Sequence, residues 1–157
     1  MDPKYSLPEI ERRWLVRAEA IPTLASVPRR IIEDRYIRGG RLRLRAMFAN
    51  DAEPIYKLGK KYGREGSDPE QVVNIYLTEQ EHQSLLALPG ATLRKARYSV
   101  ESGSLDVLDY PSPGLAIFEI EFPDQGAASA YIPPAFVEEE ITYNTRYSGY
   151  ALAQVAL

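Results

Sequence analysis

The chain contains 157 residues, 45% of them hydrophobic and 26% charged, which is the composition of an ordinary globular protein long enough to bury one core. We therefore expect a single domain over residues 1–157. The formal net charge of -3 argues against a nucleic-acid partner, and the absence of cysteine excludes disulfides, thiolate metal sites and a cysteine nucleophile.

The N-terminal residues MDPKYSLPEIE lack the apolar run of a secretion signal. No uninterrupted apolar stretch approaches the roughly 20 residues that a helix needs to cross a bilayer. The sequence therefore predicts no membrane partner and a cytoplasmic location.

Eight segments are typical of β-strands, because each alternates apolar and polar residues or is rich in strand formers, with turn residues between most of them. They are residues 8–17, 29–37, 40–48, 53–61, 70–78, 91–100, 104–110 and 115–122. Gly39 and Gly40 predict a tight hairpin between the second and third segments. Closure of eight antiparallel strands into a barrel would remove exposed sheet edges. The predicted fold is α+β and mainly β, an eight-stranded antiparallel β-barrel around a closed tunnel, with a few covering helices.

Three short helices are predicted between and after these strands. Thr78 and Glu81 form a capping box at the start of EQEHQSLLAL, which ends at Pro89. Asp124 is placed to cap QGAASAYI. The C-terminal SGYALAQVAL predicts a last helix that packs Tyr150, Leu152 and Val155.

Charged residues are sorted by sign on individual strand faces, because side chains two positions apart along a strand point the same way. The like-charged groups are, in chain order, Glu9 with Glu11, Arg41 with Arg43 and Arg45, Lys95 with Arg97, and Glu119 with Glu121. Any one of these faces alone is typical of a solvated strand. A surface would mix signs to relieve repulsion, so the segregation favours charged faces that turn into the barrel.

A barrel interior lined in this way needs water or a matching ligand, because buried charges are unfavourable without partners. Arginine and lysine clusters suit phosphate oxygens. Paired carboxylates suit a hard divalent cation such as Mg²⁺ or Mn²⁺. Both clusters together predict a site for a metal-bound chain of phosphates.

The ordered series of these motifs resembles the CYTH superfamily, also called the triphosphate tunnel metalloenzymes. The resemblance begins with EIERR, in the place of the family's Glu-x-Glu-x-Lys, and covers roughly residues 8–153. It continues through RLRLR, YKLGKK, LRKARYS, LDV, FEIEF and EEEIT with the later RYS. It implies an eight-stranded tunnel and an enzyme that hydrolyses a triphosphate with Mg²⁺ or Mn²⁺.

The resemblance also implies roles for individual residues. The metal ligands would be Glu9, Glu11, Glu119, Glu121 and Glu140. The phosphates would be bound by Arg13, Arg43, Arg45, Lys61, Lys95 and Arg97. Catalysis would involve Glu11, Arg13 and Asp106, with Asp106 orienting or deprotonating the attacking water.

Three positions depart from the family pattern. Arg13 stands in place of a lysine, and arginine cannot transfer a proton near neutral pH. Ser104 and Val72 stand where relatives often carry glutamate. These departures leave open whether a second metal binds and whether the chain turns over its ligand.

Two alternatives to a triphosphatase remain open at this point. A class IV adenylyl cyclase, which converts ATP to cyclic AMP, would use the same tunnel and would need an aromatic such as Tyr5, Trp14 or Tyr36 to stack on the base. A polyphosphate- or nucleotide-binding module without turnover would accord with the three departures. In every case the partner is a small phosphate-containing molecule. Short members of the family often form homodimers, which predicts a homodimer.

Overall fold

The computed structural model describes residues 2–155, and within that range it contains ten β-strands and three short α-helices. The strands are β1 (Leu7–Glu9), β2 (Glu11–Val16), β3 (Arg29–Ile37), β4 (Leu42–Ala49), β5 (Ile55–Lys61), β6 (Glu70–Leu77), β7 (Gly90–Val100), β8 (Gly103–Tyr110), β9 (Ala116–Glu121) and β10 (Val137–Glu140). The helices are α1 (Glu79–Leu85), α2 (Gln125–Ala130) and α3 (Gly149–Gln154). The last two residues of the predicted C-terminal helix lie outside the described range.

All ten strands pair antiparallel in one sheet of order β1-β6-β5-β4-β3-β7-β8-β9-β2-β10. The prediction of a mainly β fold with a few helices is therefore confirmed. The eight-stranded closed barrel is not confirmed, because hydrogen bonding leaves the order open between β1 and β10. The strand count differs because the first predicted strand divides at Ile10 and because β10, in a segment where no strand was predicted, adds a further strand.

The division at Ile10 places the two parts of the first predicted strand in different parts of the sheet. β1 pairs with β6, with Glu9 opposite Glu70, whereas β2 pairs with β9, with Glu11 opposite Glu121. Only Ile10 separates β1 from β2, and its carbonyl oxygen accepts a hydrogen bond of 2.8 Å from the N–H of Phe122. One nearly continuous segment therefore joins β1, at one margin of the sheet, to β2, the strand next to the other margin.

Local sequence signals account for the turns and helix starts. Gly39 has a φ of +87°, a left-handed conformation that favours glycine, and it lies in the predicted hairpin between β3 and β4. Both halves of the capping box at Thr78 and Glu81 are present, and Asp124 accepts a hydrogen bond from the N–H of Ala127 at 2.7 Å. Across residues 2–155, no helix has the length and apolar character that a membrane span requires.

Two apolar clusters pack on opposite faces of the sheet. The outer cluster is built on Trp14, Leu105 and Phe118, and the ring of Phe118 meets Phe136 edge-on with centroids 5.4 Å apart. The inner cluster consists of Ala91, Leu93, Leu108, Ile117, Ile141, Leu152 and Ala153. The last two lie on α3, so this helix caps an apolar part of the interior. The prediction that Val155 packs is wrong, because its side chain is 67% exposed.

We expect Phe118→Ala to lower the free energy of unfolding by about 3–5 kcal/mol, because it removes a fully buried ring between Trp14 and Phe136. Denaturant unfolding followed by tryptophan fluorescence measures the change. Ile132→Ala is the control, since Ile132 is 86% exposed and its truncation should change stability by less than about 0.5 kcal/mol. Equal effects of the two variants would contradict this description of the core.

Candidate functional site

The inward faces of β1 to β9 line a cavity of about 1140 Å³. Among the described residues, eleven lysines and arginines line it against six aspartates and glutamates, a surplus of five positive charges. The whole chain has a formal net charge of -3, so this concentration of positive charge is local to the cavity. The strand faces that the sequence predicts to turn inward do so.

One wall of the cavity is acidic. Glu9 and Glu11 face inward on either side of the break at Ile10, and register places Glu11 opposite Glu121. Burial, together with the charges of Glu119 and Glu9, raises the pKa of Glu11 to about 7 despite the nearby Lys61. Burial and the same two neighbouring carboxylates raise the pKa of Glu121. Glu11 and Glu121 therefore hold their protons more tightly than a solvated glutamate does.

Next to the acidic wall, on β7 and β8, the cavity contains a buried charge cluster centred on Asp106. Its two carboxylate oxygens accept hydrogen bonds from Arg97 at 2.7 and 2.8 Å and from Lys95 at 2.5 Å. Arg97 also pairs with Glu119. Burial raises the pKa of Asp106, but the charges of Lys95 and Arg97 outweigh it and hold this pKa well below its usual range. Asp106 is thus a weak base whose two oxygens are engaged by Lys95 and Arg97, which favours a role in positioning these cations over the predicted deprotonation of water.

Two further cations have acidic partners. Arg45 donates two hydrogen bonds to the fully buried Asp34, from Nε at 2.7 Å and from Nη2 at 2.8 Å. Lys61 forms an ion pair with Glu9 and lies 4.0 Å from an oxygen of Glu11. These contacts orient both cations along the cavity wall.

Arg13 and Arg43 differ from one another in their contacts. Arg13 donates to the carbonyl oxygen of Tyr147 at 2.9 Å and lies 3.6 Å from Glu119, so its guanidinium is tied to the C-terminal segment. Arg43 makes one long hydrogen bond of 3.4 Å to Asn74, and its buried Nε has no hydrogen-bond partner in the described part of the chain. Arg43 is therefore the less satisfied of these two predicted phosphate-binding residues.

Glu140 is the predicted ligand that does not line the large cavity. It lines a smaller cavity of about 240 Å³, to which Glu9 and Glu11 also contribute. Its carboxylate accepts two hydrogen bonds from Arg12, at 2.8 and 2.9 Å, and one from Thr142. Arg12 in turn holds the carbonyl oxygens of Ala128 and Tyr131. Glu140 thus belongs to the packing of α2 and β10 against β2.

Several lining residues are missing from the predicted site. The polar ones include Arg30, Tyr36, Arg41, Lys57, Lys60, Arg64, Glu70 and Asn74, to which Asp34 is added as the partner of Arg45. The register that places Arg45 opposite Asp34 follows from the hairpin at Gly39. Counting residues back from that turn on both strands could therefore have identified Asp34 as the partner of Arg45. The segment 142–152 also lines the cavity, a tertiary contact that strand alternation does not reveal.

The acidic wall fits a divalent cation in its donor chemistry, because glutamate oxygens suit Mg²⁺ and Mn²⁺. A cation would also offset the burial and the repulsion from Glu119 and Glu9 that raise the pKa of Glu11. Lys61 and Arg97 hold Glu9 and Glu119 in this structure. Within residues 2–155, no three acidic, histidine or cysteine side chains are grouped closely enough to hold a metal ion.

Comparison with known proteins finds a partial sequence similarity to a curated protein. The chain is 41% identical over 73 residues to an inorganic triphosphatase of Nitrosomonas europaea, an alignment that covers 43% of this chain. The chain thus spans 48% of the length of this curated relative. No model of a known protein family matches the chain.

Two solved structures share the fold. The inorganic triphosphatase NE1496 is 25% identical, with a TM-score of 0.59 over 94% of this chain and 95% of that one. A candidate adenylate cyclase from Bacillus halodurans is 18% identical, with a TM-score of 0.51 over 80% of this chain and 86% of that one. The second likeness shows the fold alone.

We expect Asp34→Asn to lower the free energy of unfolding by about 3–5 kcal/mol near neutral pH, because it leaves the buried Arg45 charge without its counter-charge. Glu33→Gln is the control, since the exposed Glu33 lies 3.5 Å from Arg94 and such surface pairs contribute about 1 kcal/mol or less. Urea unfolding gives both values, and a loss below about 1 kcal/mol for Asp34→Asn would contradict the interpretation.

The same pair predicts a pH dependence. Burial raises the pKa of Asp34, but the charge and hydrogen bonds of Arg45 hold it below its ordinary value of 3.8. The unfolded chain therefore binds this proton first, so the stability from Asp34 is complete above 3.8 and is lost as pH falls below it. In urea unfolding between neutral pH and pH 3, Asp34→Asn should lose less stability than the wild type; an equal loss would argue against the assigned pKa direction.

Proposed function

We propose that this chain, which belongs to the CYTH or triphosphate tunnel metalloenzyme superfamily, hydrolyses a triphosphate with the help of a divalent metal ion. The observation that carries the proposal is the cavity itself, where a surplus of five positive charges faces a wall of glutamates. Its relatives include inorganic triphosphatases, which supports inorganic tripolyphosphate as the first substrate to test.

We further propose that the sheet acts as an eight-stranded tunnel. If β1 and β2 count as one strand bent at Ile10, the order becomes a ring in which this strand pairs with β6 on one side and β9 on the other. Continuity of the backbone through Ile10 supports this closure.

The predicted phosphate-binding residues differ in whether a carboxylate already orients them. Arg43 is the most available, because within residues 2–155 it has no ion pair and makes only one long hydrogen bond of 3.4 Å, to Asn74. Arg45, Lys61, Lys95 and Arg97 are already oriented by carboxylates, so they present charge at fixed positions along the wall. Fixed cations hold a phosphate chain with little reorganisation, which is how binding geometry lowers the barrier for phosphoryl transfer.

In the reaction, a water oxygen attacks the terminal phosphorus, the bond from that phosphorus to the bridging oxygen breaks, and phosphate and pyrophosphate leave. Glu9, Glu11, Glu119 and Glu121 would hold Mg²⁺ or Mn²⁺, which when bound supplies positive charge to the phosphate oxygens. Lys61 would release Glu9 for this role, and Arg97 would release Glu119. Arg13 acts by holding the C-terminal segment at the cavity through Tyr147.

A binding module without turnover is the second candidate. The observation in its favour is that Glu9 and Glu119 are engaged by cations and that, in the described range, no three potential ligands are grouped to hold a metal. Binding of tripolyphosphate in the presence of Mn²⁺ without phosphate release over hours would establish this candidate.

The remaining expectations stay predictions from the sequence. They are a cytoplasmic location, a homodimer, and the absence of nucleic-acid and membrane partners. Conversion of ATP to cyclic AMP has no specific observation in its favour, because the likeness to the candidate adenylate cyclase shows the fold alone.

We expect Glu11→Gln to abolish phosphate release from tripolyphosphate in the presence of Mg²⁺ or Mn²⁺, because it removes a buried carboxylate from the centre of the acidic wall. The malachite green assay for phosphate measures the rate. Glu139→Gln is the matched control, since Glu139 is an exposed glutamate that does not line the cavity. Activity in Glu11→Gln equal to that of the control would contradict the assignment of the metal site.

A further inference from the structure

The smaller cavity, of about 240 Å³, has the opposite charge balance to the large one. Among the described residues, four carboxylates and two arginines line it, an excess of two negative charges; they are Glu9, Glu11, Asp68 and Glu140, with Arg12 and Arg64. The large cavity instead has a surplus of five positive charges. The two cavities therefore attract ligands of opposite sign.

The two cavities adjoin at the acidic wall. Five residues line both of them: Glu9, Glu11, Arg64, Thr142 and Tyr143. At this boundary the guanidinium of Arg64 lies over the ring of Tyr143, 5.2 Å from its centroid. Ile10 and Arg12 line only the smaller cavity, and they alternate with Glu9 and Glu11 along the chain, so they face the other side of the strand. The smaller cavity thus reaches the two glutamates from outside the sheet.

The contacts show which charges of the smaller cavity lack a close partner. Arg12 and Glu140 neutralise each other through two hydrogen bonds. Asp68 forms no ion pair with any residue between 2 and 155. Glu11 has one ion pair in that range, with Lys61 at 4.0 Å. Since Asp68 lines the smaller cavity alone and Glu11 lines both cavities, the less neutralised negative charge leads from the smaller cavity to the acidic wall.

The smaller cavity has the size and polarity for a hydrated divalent cation. Mg²⁺ takes an octahedral shell and gives up its waters reluctantly. Six waters at about 30 Å³ each occupy roughly 180 Å³, less than the volume of the cavity. Ser67, Gln125, Ser129 and Thr142 line it and offer hydroxyl and amide groups to such a shell. Phosphate anions would be repelled by its excess of negative charge.

We propose that the smaller cavity is a separate entrance for the metal ion, through which a hydrated divalent cation passes Asp68 and reaches Glu9 and Glu11. The phosphate chain enters through the large cavity, whose surplus of positive charge attracts polyanions and repels cations. The inference rests on the proposed function, because it concerns the metal ion that the acidic wall would hold.

The kinetics of Mn²⁺ binding to the full chain test this inference, without a phosphate chain so that no turnover occurs. Stopped-flow mixing with a fluorescent Mn²⁺ indicator gives the rate of uptake, and mixing with excess EDTA gives the rate of release. The paramagnetic resonance signal of free Mn²⁺ gives the Kd. Ser129→Trp places an indole in the smaller cavity, and Ala130→Trp is the matched control, because Ala130 is the next exposed residue of α2 and lines neither cavity.

Ser129→Trp should slow uptake and release by the same factor, at least about tenfold, and leave the Kd unchanged. A blocked passage raises the barrier between free and bound Mn²⁺ without changing either state, whereas a damaged binding site changes the Kd. Ala130→Trp should behave as the wild type.

Asp68→Lys tests the same passage by charge and carries the test if Ser129→Trp does not fold. It should slow uptake roughly tenfold at low salt, and the difference from wild type should shrink as ionic strength rises. Glu53→Lys makes the same change of charge at an exposed residue that lines neither cavity, and should leave the rate of uptake near that of the wild type.

Unchanged uptake in a folded Ser129→Trp, or equal slowing by Asp68→Lys and Glu53→Lys, overturns the inference. A weaker Kd with faster release in Ser129→Trp also overturns it, because the smaller cavity would then be part of the binding site. In these cases Mn²⁺ still binds to the wild type, so the proposed function stands. If the wild type binds no Mn²⁺, the metal dependence in the proposed function fails as well.

Discussion

The structure depends on the requirement that each charged side chain turned inward must find a counter-charge or water, because an unpaired buried charge is costly. Asp106 meets this requirement for Lys95 and Arg97, and Asp34 meets it for Arg45. Both aspartates are almost fully buried, so their carboxylates serve the cations of the wall rather than solvent. The cavity cations that have no aspartate partner remain for a ligand to neutralise.

The acidic wall meets the same requirement differently. Glu11 and Glu121 lie directly opposite each other, and the neighbouring lysine and arginine are shared among several carboxylates. Burial, together with repulsion from Glu119 and Glu9, raises the pKa of Glu11 to about 7. A cavity that has excess positive charge on one side and crowded carboxylates on the other is suited to a ligand that contains both a polyanion and a divalent cation. This complementarity connects the charge pattern to metal-dependent phosphate chemistry.

The strands and most of the site could be predicted because both follow from local alternation. The positions of Glu9, Glu11, Arg43, Lys95 and Glu119 on inward faces required only the two-residue period of a strand. Asp34 was missed since its role depends on which residue lies across the hairpin from it. Glu140 was misplaced in the cavity because Arg12, on the outward face of β2, holds its carboxylate with two hydrogen bonds.

The sequence by itself determined which residues alternate, where turns and helix caps fall, and which strand faces carry which sign, because these properties depend on neighbours a few positions apart. Only the tertiary structure decided which cations are neutralised and which remain without a counter-charge, since ion pairs join residues on different strands. It also decided that the segment PEIERRWLV breaks at Ile10 and that α3 caps an apolar part of the interior. Both outcomes arise from packing between distant parts of the chain. The alternation of side chains along a strand gives no information about such packing.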